Sequence, residues 1–159
     1  MKWLELQMTK GWRIINKIWK NLQEFNETHP KLFRKRVCKG PPPEYRWLAW
    51  KVLTGAFQSE VQGAYEELLN RADEFNDEDH PVLNQINLDL NRTYPAHPFY
   101  SEQYGRIGQR VLRRALRAYA MYNPDVGYTQ SINFVMGFIL IVNGGRDEEA
   151  FWQFIAISN

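Results

Sequence analysis

The stretch Ser131-Ile132-Asn133-Phe134-Val135-Met136-Gly137-Phe138-Ile139-Leu140-Ile141-Val142 decides the fold class. It is apolar on nearly every side, and a helix of that composition belongs in the middle of a bundle. Its unbroken apolar run, Phe134 to Val142, has nine residues, far short of the roughly 20 that a membrane-crossing helix needs. Gly144-Gly145 ends it, and Asp147-Glu148-Glu149 opens a last helix through Phe151, Trp152 and Phe154. Acids in a first turn suit the positive end of a helix.

Upstream the pattern stays helical. Asn123-Pro124-Asp125 is a turn. Before it, Ile107, Val111, Ala115, Ala118 and Tyr122 predict a long helix whose basic face carries Arg106, Arg110, Arg113, Arg114 and Arg117. Leu83, Ile86 and Leu90 mark a short helix, and Pro95 and Pro98 break the segment after it. Asp73 to His80 is acidic and polar and reads as a loop. A helix is expected from Val61 to Ala72, with Ala64, Tyr65, Leu68, Leu69 and Ala72 on one face. Pro42-Pro43-Glu44 opens another, with Tyr45, Leu48, Ala49 and Val52 as its stripe and Gly55 as its C-cap. At the start of the chain Trp12, Ile15, Ile18, Trp19, Leu22 and Phe25 form an amphipathic stripe that Pro30 stops. No strand-like alternation, repeat or low-complexity tract interrupts this. The expectation is one all-α unit, an irregular multi-helix bundle.

Composition narrows the function. At 159 residues the chain is about one domain. Hydrophobic content of 44% with 14% aromatics supports an ordered core rather than disorder. A net charge of +2 is too small to argue for nucleic acid. Arg34-Lys35-Arg36 with Lys39 could touch acidic lipid, although four charges beside a loop are more often simply solvated. The single cysteine, Cys38, excludes an internal disulfide and fits a reducing compartment. The Lys-studded N-terminus carries no secretory signal pattern. A cytoplasmic location is expected, with peripheral membrane association left open.

Two constellations carry chemistry. Asp89 precedes Arg92 by three residues in Ile86-Asn87-Leu88-Asp89-Leu90-Asn91-Arg92. On a helix that spacing makes them neighbours. An exposed pair of this kind is worth only about 0.3–0.5 kcal/mol, but an acid so placed can also steady an arginine that projects outward. Gln130, in Gly127-Tyr128-Thr129-Gln130, is an amide at the mouth of the apolar helix, where a rigid element can hold it. One fixed cation and one water-orienting amide are what a trans-acting catalyst of GTP hydrolysis requires, because phosphoryl transfer asks for positioning and charge stabilisation. Other chemistry lacks its residues. His29, His80 and His97 show no ligand spacing, and no glycine-rich loop ends in Lys-Ser or Lys-Thr.

Three blocks in order resemble the TBC domain of Rab GTPase-activating proteins. Gly40-Pro41-Pro42-Pro43-Glu44-Tyr45-Arg46-Trp47-Leu48-Ala49-Trp50 is similar to the family's opening motif around Gly40, Arg46 and Trp50, with Pro41 in place of isoleucine. Ile86 through Arg92, with Thr93, Tyr94, Pro95 and His97, resembles its arginine-finger motif; the family more often has Phe at Tyr94. Tyr119 through Phe134, including Asn123, Pro124, Gly127, Tyr128 and Gln130, resembles the glutamine-finger block. There the family usually reads Gln-Gly-Met, where this chain has Gln130-Ser131-Ile132.

The resemblance implies catalysis by Arg92 and Gln130, supported by Asp89, Tyr128, Ile86 and Thr93, on a GTP-state Rab. It implies no cofactor of the chain's own, since GTP and Mg belong to the partner. It also implies a division into an amphipathic helix over 1–30 and the N-terminal, finger-bearing lobe over 31–159, with a C-terminal lobe absent. The apolar last helix (Phe151, Trp152, Phe154, Ile155, Ile157) is then expected to pack on that lobe in a parent protein, and on another copy or a rearranged terminus in the isolated chain. The alternative is a non-catalytic binding or scaffold module that docks on small GTPases or membrane-traffic partners.

Overall fold

The computed structural model describes residues 17, 18 and 20–158. Contacts group them into two compact units that divide between Gly55 and Ala56. Among the described residues there is no strand, as the sequence predicts.

The first unit holds α1 (residues 20–28), α2 (Pro30–Cys38) and α3 (Pro43–Thr54). His29 leaves helical geometry at φ −136° and ψ 56°, and Pro30 takes the first position of α2. Proline lacks an N–H, which costs nothing there because the first N–H groups of a helix have no partner. So Pro30 stops one helix and starts another. Arg34, Lys35 and Arg36 therefore lie on a helix, not beside a loop. Phe33, Ala49 and Val52 form a small core with Leu22, Phe25 and Val37 against it. Trp12, Ile15 and Trp19 of the first predicted stripe fall outside the described residues. Gly55 closes α3 at φ +71°, and its N–H donates to the carbonyls of Lys51 and Val52.

The second unit runs α4 (Ala56–Ser59), α5 (Ala64–Asp73), α6 (Pro81–Leu90), two single 3₁₀ turns (Pro98–Tyr100 and Glu102–Tyr104), α7 (Ile107–Tyr122), α8 (Ile132–Asn143) and α9 (Asp147–Ser158). The helix expected from Val61 begins three residues later, after Gly63 at φ +79°. The short α4 had no periodic signal. The centre of the unit is α7, which packs on α5, α6, α8 and α9. Its fully buried residues are Leu112, Ala115, Leu116 and Ala118, and Ile107 is 48% exposed, so the true stripe is rotated from the predicted one.

Two further expectations change, and the structure adds detail to a third. The apolar α8 is not enclosed: Met136, Gly137, Ile139 and Leu140 face the core, while Phe134, Val135 and Phe138 are exposed. The basic face of α7, read from sequence only as basic, is partly buried and ion-paired. Arg117 is buried and ion-paired to Asp73 and Asp77, Arg113 pairs with Asp77, and Arg114 with Glu66 and Asp147. The last helix does not offer a wide apolar face to a second copy. Phe151, Trp152, Phe154 and Ile155 are buried in the chain's own core, and only Ile157 of that set is exposed. Burial of each large side chain is worth about 1.5–3 kcal/mol, which explains why the helix turns inward. Among the described residues no helix is long and apolar enough to cross a membrane.

Candidate functional site

The site grows from α6. Leu83, Ile86 and Leu90 bury one face of this helix and carry Asp89 inward with them, leaving it 1% exposed. Arg92 comes one turn on, just past the helix end, with its side chain 46% exposed. Its Nη2 reaches Asp89 Oδ1 at 2.5 Å. Gln85 Nε2 donates to the same oxygen at 2.9 Å, and the Tyr128 hydroxyl donates to Oδ2 at 2.5 Å. Burial by itself would push the Asp89 carboxyl up. The hydrogen bonds from Tyr128, Arg92 and Gln85, with the Arg92 charge, outweigh it and hold the group below the ordinary carboxylate range. Burial, and then the bond and charge of Asp89, raise the Tyr128 hydroxyl far above its usual value, so it stays a donor. Asp89 is thus a buried anion with three side-chain donors, which a buried charge needs.

The backbone of the same aspartate joins the second constellation. Thr93, fully buried, donates its hydroxyl to the Asp89 carbonyl at 2.7 Å and accepts from Asn133 Nδ2 at 2.7 Å. Asn133 Oδ1 in turn accepts from the Ser131 N–H at 3.2 Å. Gln130 stands beside that N–H, two residues before α8 begins. The hydrogen-bond network sets the orientation of its amide. With the oxygen turned to Arg92 it accepts from Nη1 at 3.3 Å and from Nη2 at 3.0 Å. The two residues singled out from sequence, 38 positions apart, are in contact.

Local backbone makes this possible. Asn123 ends α7, accepts from the Gly127 N–H at 2.7 Å through its carbonyl, and starts the turn that holds Pro124. Gly127 bends the chain at φ +60° toward Tyr128. On the arginine side, Tyr94 takes φ +46° immediately before Pro95. Its hydroxyl donates to the Phe134 carbonyl at 3.0 Å, and that of Tyr100 to the Gly137 carbonyl at 2.8 Å. These bonds lay the segment after Arg92 along α8. His97 accepts from the Phe99 N–H through Nδ1 and caps the 3₁₀ turn.

Ile86 serves as a fully buried core residue rather than a contact of the pair. Gly40, Arg46 and Trp50 belong to the first unit. Gly40 comes after α2 at φ +93°, and Arg46 and Trp50 are half-buried on α3. Sequence reasoning missed Gln85 and Asn133. Gln85 sits four residues before Asp89, a helical neighbour. Asn133 is the one uncharged amide inside the apolar stretch 131–142, and a polar side chain there must find a buried partner. Among the described residues no three His, Cys, Asp or Glu side chains group to hold a metal. The arrangement presents an exposed guanidinium and an amide on a rigid support, suited to an anion brought from outside.

Known proteins are similar to this chain in sequence and fold. Residues 43–159 match the Rab-GTPase-TBC domain family. The human growth hormone-regulated TBC protein 1 is 35% identical over 127 residues, 78% of this chain and 36% of that protein. The GTPase-activating protein GYP3 of Saccharomyces cerevisiae is 33% identical over 137 residues, 79% of this chain and 21% of its own length. The crystal structure of the Chlamydomonas flagellar RabGAP TBC domain superposes with a TM-score of 0.67 at 26% identity, covering 85% of this chain and 47% of that one. The chain therefore spans about a third or less of these curated relatives and half of the solved domain. By sequence and by fold, the chain belongs to the Rab-GTPase-TBC domain family.

Proposed function

We propose that this chain supplies the catalytic groups with which a GTP-state Rab hydrolyses its nucleotide, in vesicle trafficking on the cytoplasmic side of membranes. The observation that carries the reading is the Arg92–Gln130 contact over the buried Asp89. The Arg92 guanidinium neutralises charge that develops between the β- and γ-phosphates, and its planar fork suits phosphate oxygens. The Gln130 amide orients the attacking water. Asp89 and Tyr128 keep the arginine extended. GTP and Mg²⁺ come with the partner, and the chain adds no cofactor.

Phosphate release from a panel of GTP-loaded Rabs, with and without the chain, tests this. Arg92→Ala should lower the stimulated rate by about 10³–10⁵-fold, and Lys should substitute poorly. A Rab whose own catalytic glutamine is mutated should still be stimulated, and that stimulation should vanish with Gln130→Ala. Binding to GTP-state Rabs with no acceleration of any would instead support a docking module.

A further inference from the structure

We propose that Asn87 and Asp77 are positioning residues for Arg92, acting through a charged cluster on the far side of α6 from Asp89. The proposal rests on the reading of Arg92 given above. Asn87 and Asp89 are two residues apart, which on a helix places them about 200° apart around the axis. Asp89 therefore anchors one side of the last turn of α6 and Asn87 the other.

Both ends of the Asn87 amide are bonded. Its Nδ2 donates to Asp77 Oδ2 at 2.6 Å, and its Oδ1 accepts from Arg113 Nε at 3.0 Å. Asp77, in the loop before α6, also accepts from Arg113 Nη2 and from Arg117 Nη1. Arg117 is 4% exposed and donates further to the Ala72 carbonyl at 2.8 Å and to Asp73 Oδ1 at 2.8 Å. Burial alone would raise the Asp77 carboxyl; the bonds from Asn87 and Arg113, and the Arg113 charge, hold it below the usual range. A buried arginine is costly to leave unpaired, so the cluster resists opening.

The cluster transmits position. Arg113 and Arg117 stand on α7, whose core residues are fully buried. Through Asn87 they set the rotation of α6 about its own axis. A small rotation would carry Asp89 away from Tyr128 and swing Arg92 from Gln130. Misplacement by about 1 Å can cost about 100-fold in rate.

The test is Asn87→Ala in the whole chain, alone and combined with Arg92→Ala. Alone it should lower the maximal stimulated rate of GTP hydrolysis by about 10–100-fold, with the Rab concentration for half-maximal stimulation nearly unchanged. On the Arg92→Ala background it should cause no further loss, because both act through one group. The NMR order parameter of the Arg92 Nε–H should fall in Asn87→Ala whether or not a Rab is present. Arg113→Met, on a partly exposed side chain, should repeat these effects and serves if Asn87→Ala does not fold. Full rate with an unchanged Arg92 order parameter would overturn the proposal. So would an equal further loss on the Arg92→Ala background, which marks general destabilisation. Normal stimulation by Arg92→Ala alone would overturn the arginine reading instead, and the order parameter would still decide whether Asn87 holds that side chain.

Discussion

Ser131 holds φ +95° and ψ −27°, a region that side chains with a Cβ rarely occupy. The conformation is needed there: it turns the chain from Gln130 into α8 and points its N–H at Asn133. Glycine would take this geometry without strain, whereas an L-residue in left-handed backbone costs about 1–2 kcal/mol. Part of that is returned because serine restricts the unfolded chain more than glycine does. Ser131→Gly should therefore raise the thermal midpoint, by about 1 kcal/mol of stability, and Ser131→Ala should not. Thermal unfolding of the three proteins side by side reads the difference; equal gains from Gly and Ala would mean that strain is not the cause. The same position explains why the Gln130 loop could be found from its residues but not its shape. Tyr128-x-Gln130 is a local pattern, while the left-handed turn is imposed by Asn133 and Thr93 from 2 and 38 residues away.

Between elements, α7 approaches the 3₁₀ turn at Pro98–Tyr100 closely at Gly108. A Cβ on Gly108 would lie 2.6 Å from the Phe99 carbonyl oxygen and 2.7 Å from the rings of Phe99 and Tyr100. Gly108→Ala would gain about 1 kcal/mol of helix propensity. That is outweighed, because the backbone carbonyl cannot step aside and overpacking costs about 1–3 kcal/mol. A lower denaturant midpoint is expected, together with loosened burial of Tyr100, whose hydroxyl bonds α8. An unchanged midpoint would show that the turn gives way freely. Helix boundaries were largely legible in the sequence where proline and glycine punctuate it, as at Pro43, Gly55 and Gly144. Which face turns inward was legible for α5 and α6, where polar and apolar residues contrast. It was not for α8, which has too little contrast, nor for α7. There Arg117 reads as surface, and its burial depends on Asp77 in a distant loop.

At the scale of the whole molecule, two carboxylates, Asp89 buried and Asp77 half-buried, tie stability to pH. Asp77 and Asp89 are both held below the ordinary carboxylate value by their donors. A group whose folded-state pKa is depressed adds stability that is complete above its unfolded value, about 3.9, and is lost as pH falls through the folded one. Between neutral pH and about pH 4 these two groups should leave stability flat, and below that it should drop steeply. Urea unfolding across that range measures the slope, and Asp89→Asn should remove one carboxylate's share of it. A slope identical to the parent chain would mean that Asp89 is not held in the ionised form. The loss would reach the segments of Arg92 and Tyr128 together, since one carboxylate holds both. That shared anchor was only half legible. The three-residue spacing pointed to the arginine, but Tyr128 is 39 residues away and reaches Asp89 only through the packing of the turn after α7 on α6.

The contact between Arg92 and Asp89 has a thermodynamic side. A free arginine side chain carries about 2 kcal/mol of rotamer entropy, and a group recruited on encounter must give much of that up as the partner arrives. Here Asp89 and Gln130 already stand within hydrogen-bonding distance of the guanidinium in the folded chain, so part of that freedom is expected to be lost on folding. Disorder removed in that way, when the chain collapses, would not be subtracted again from each association with the proposed partner.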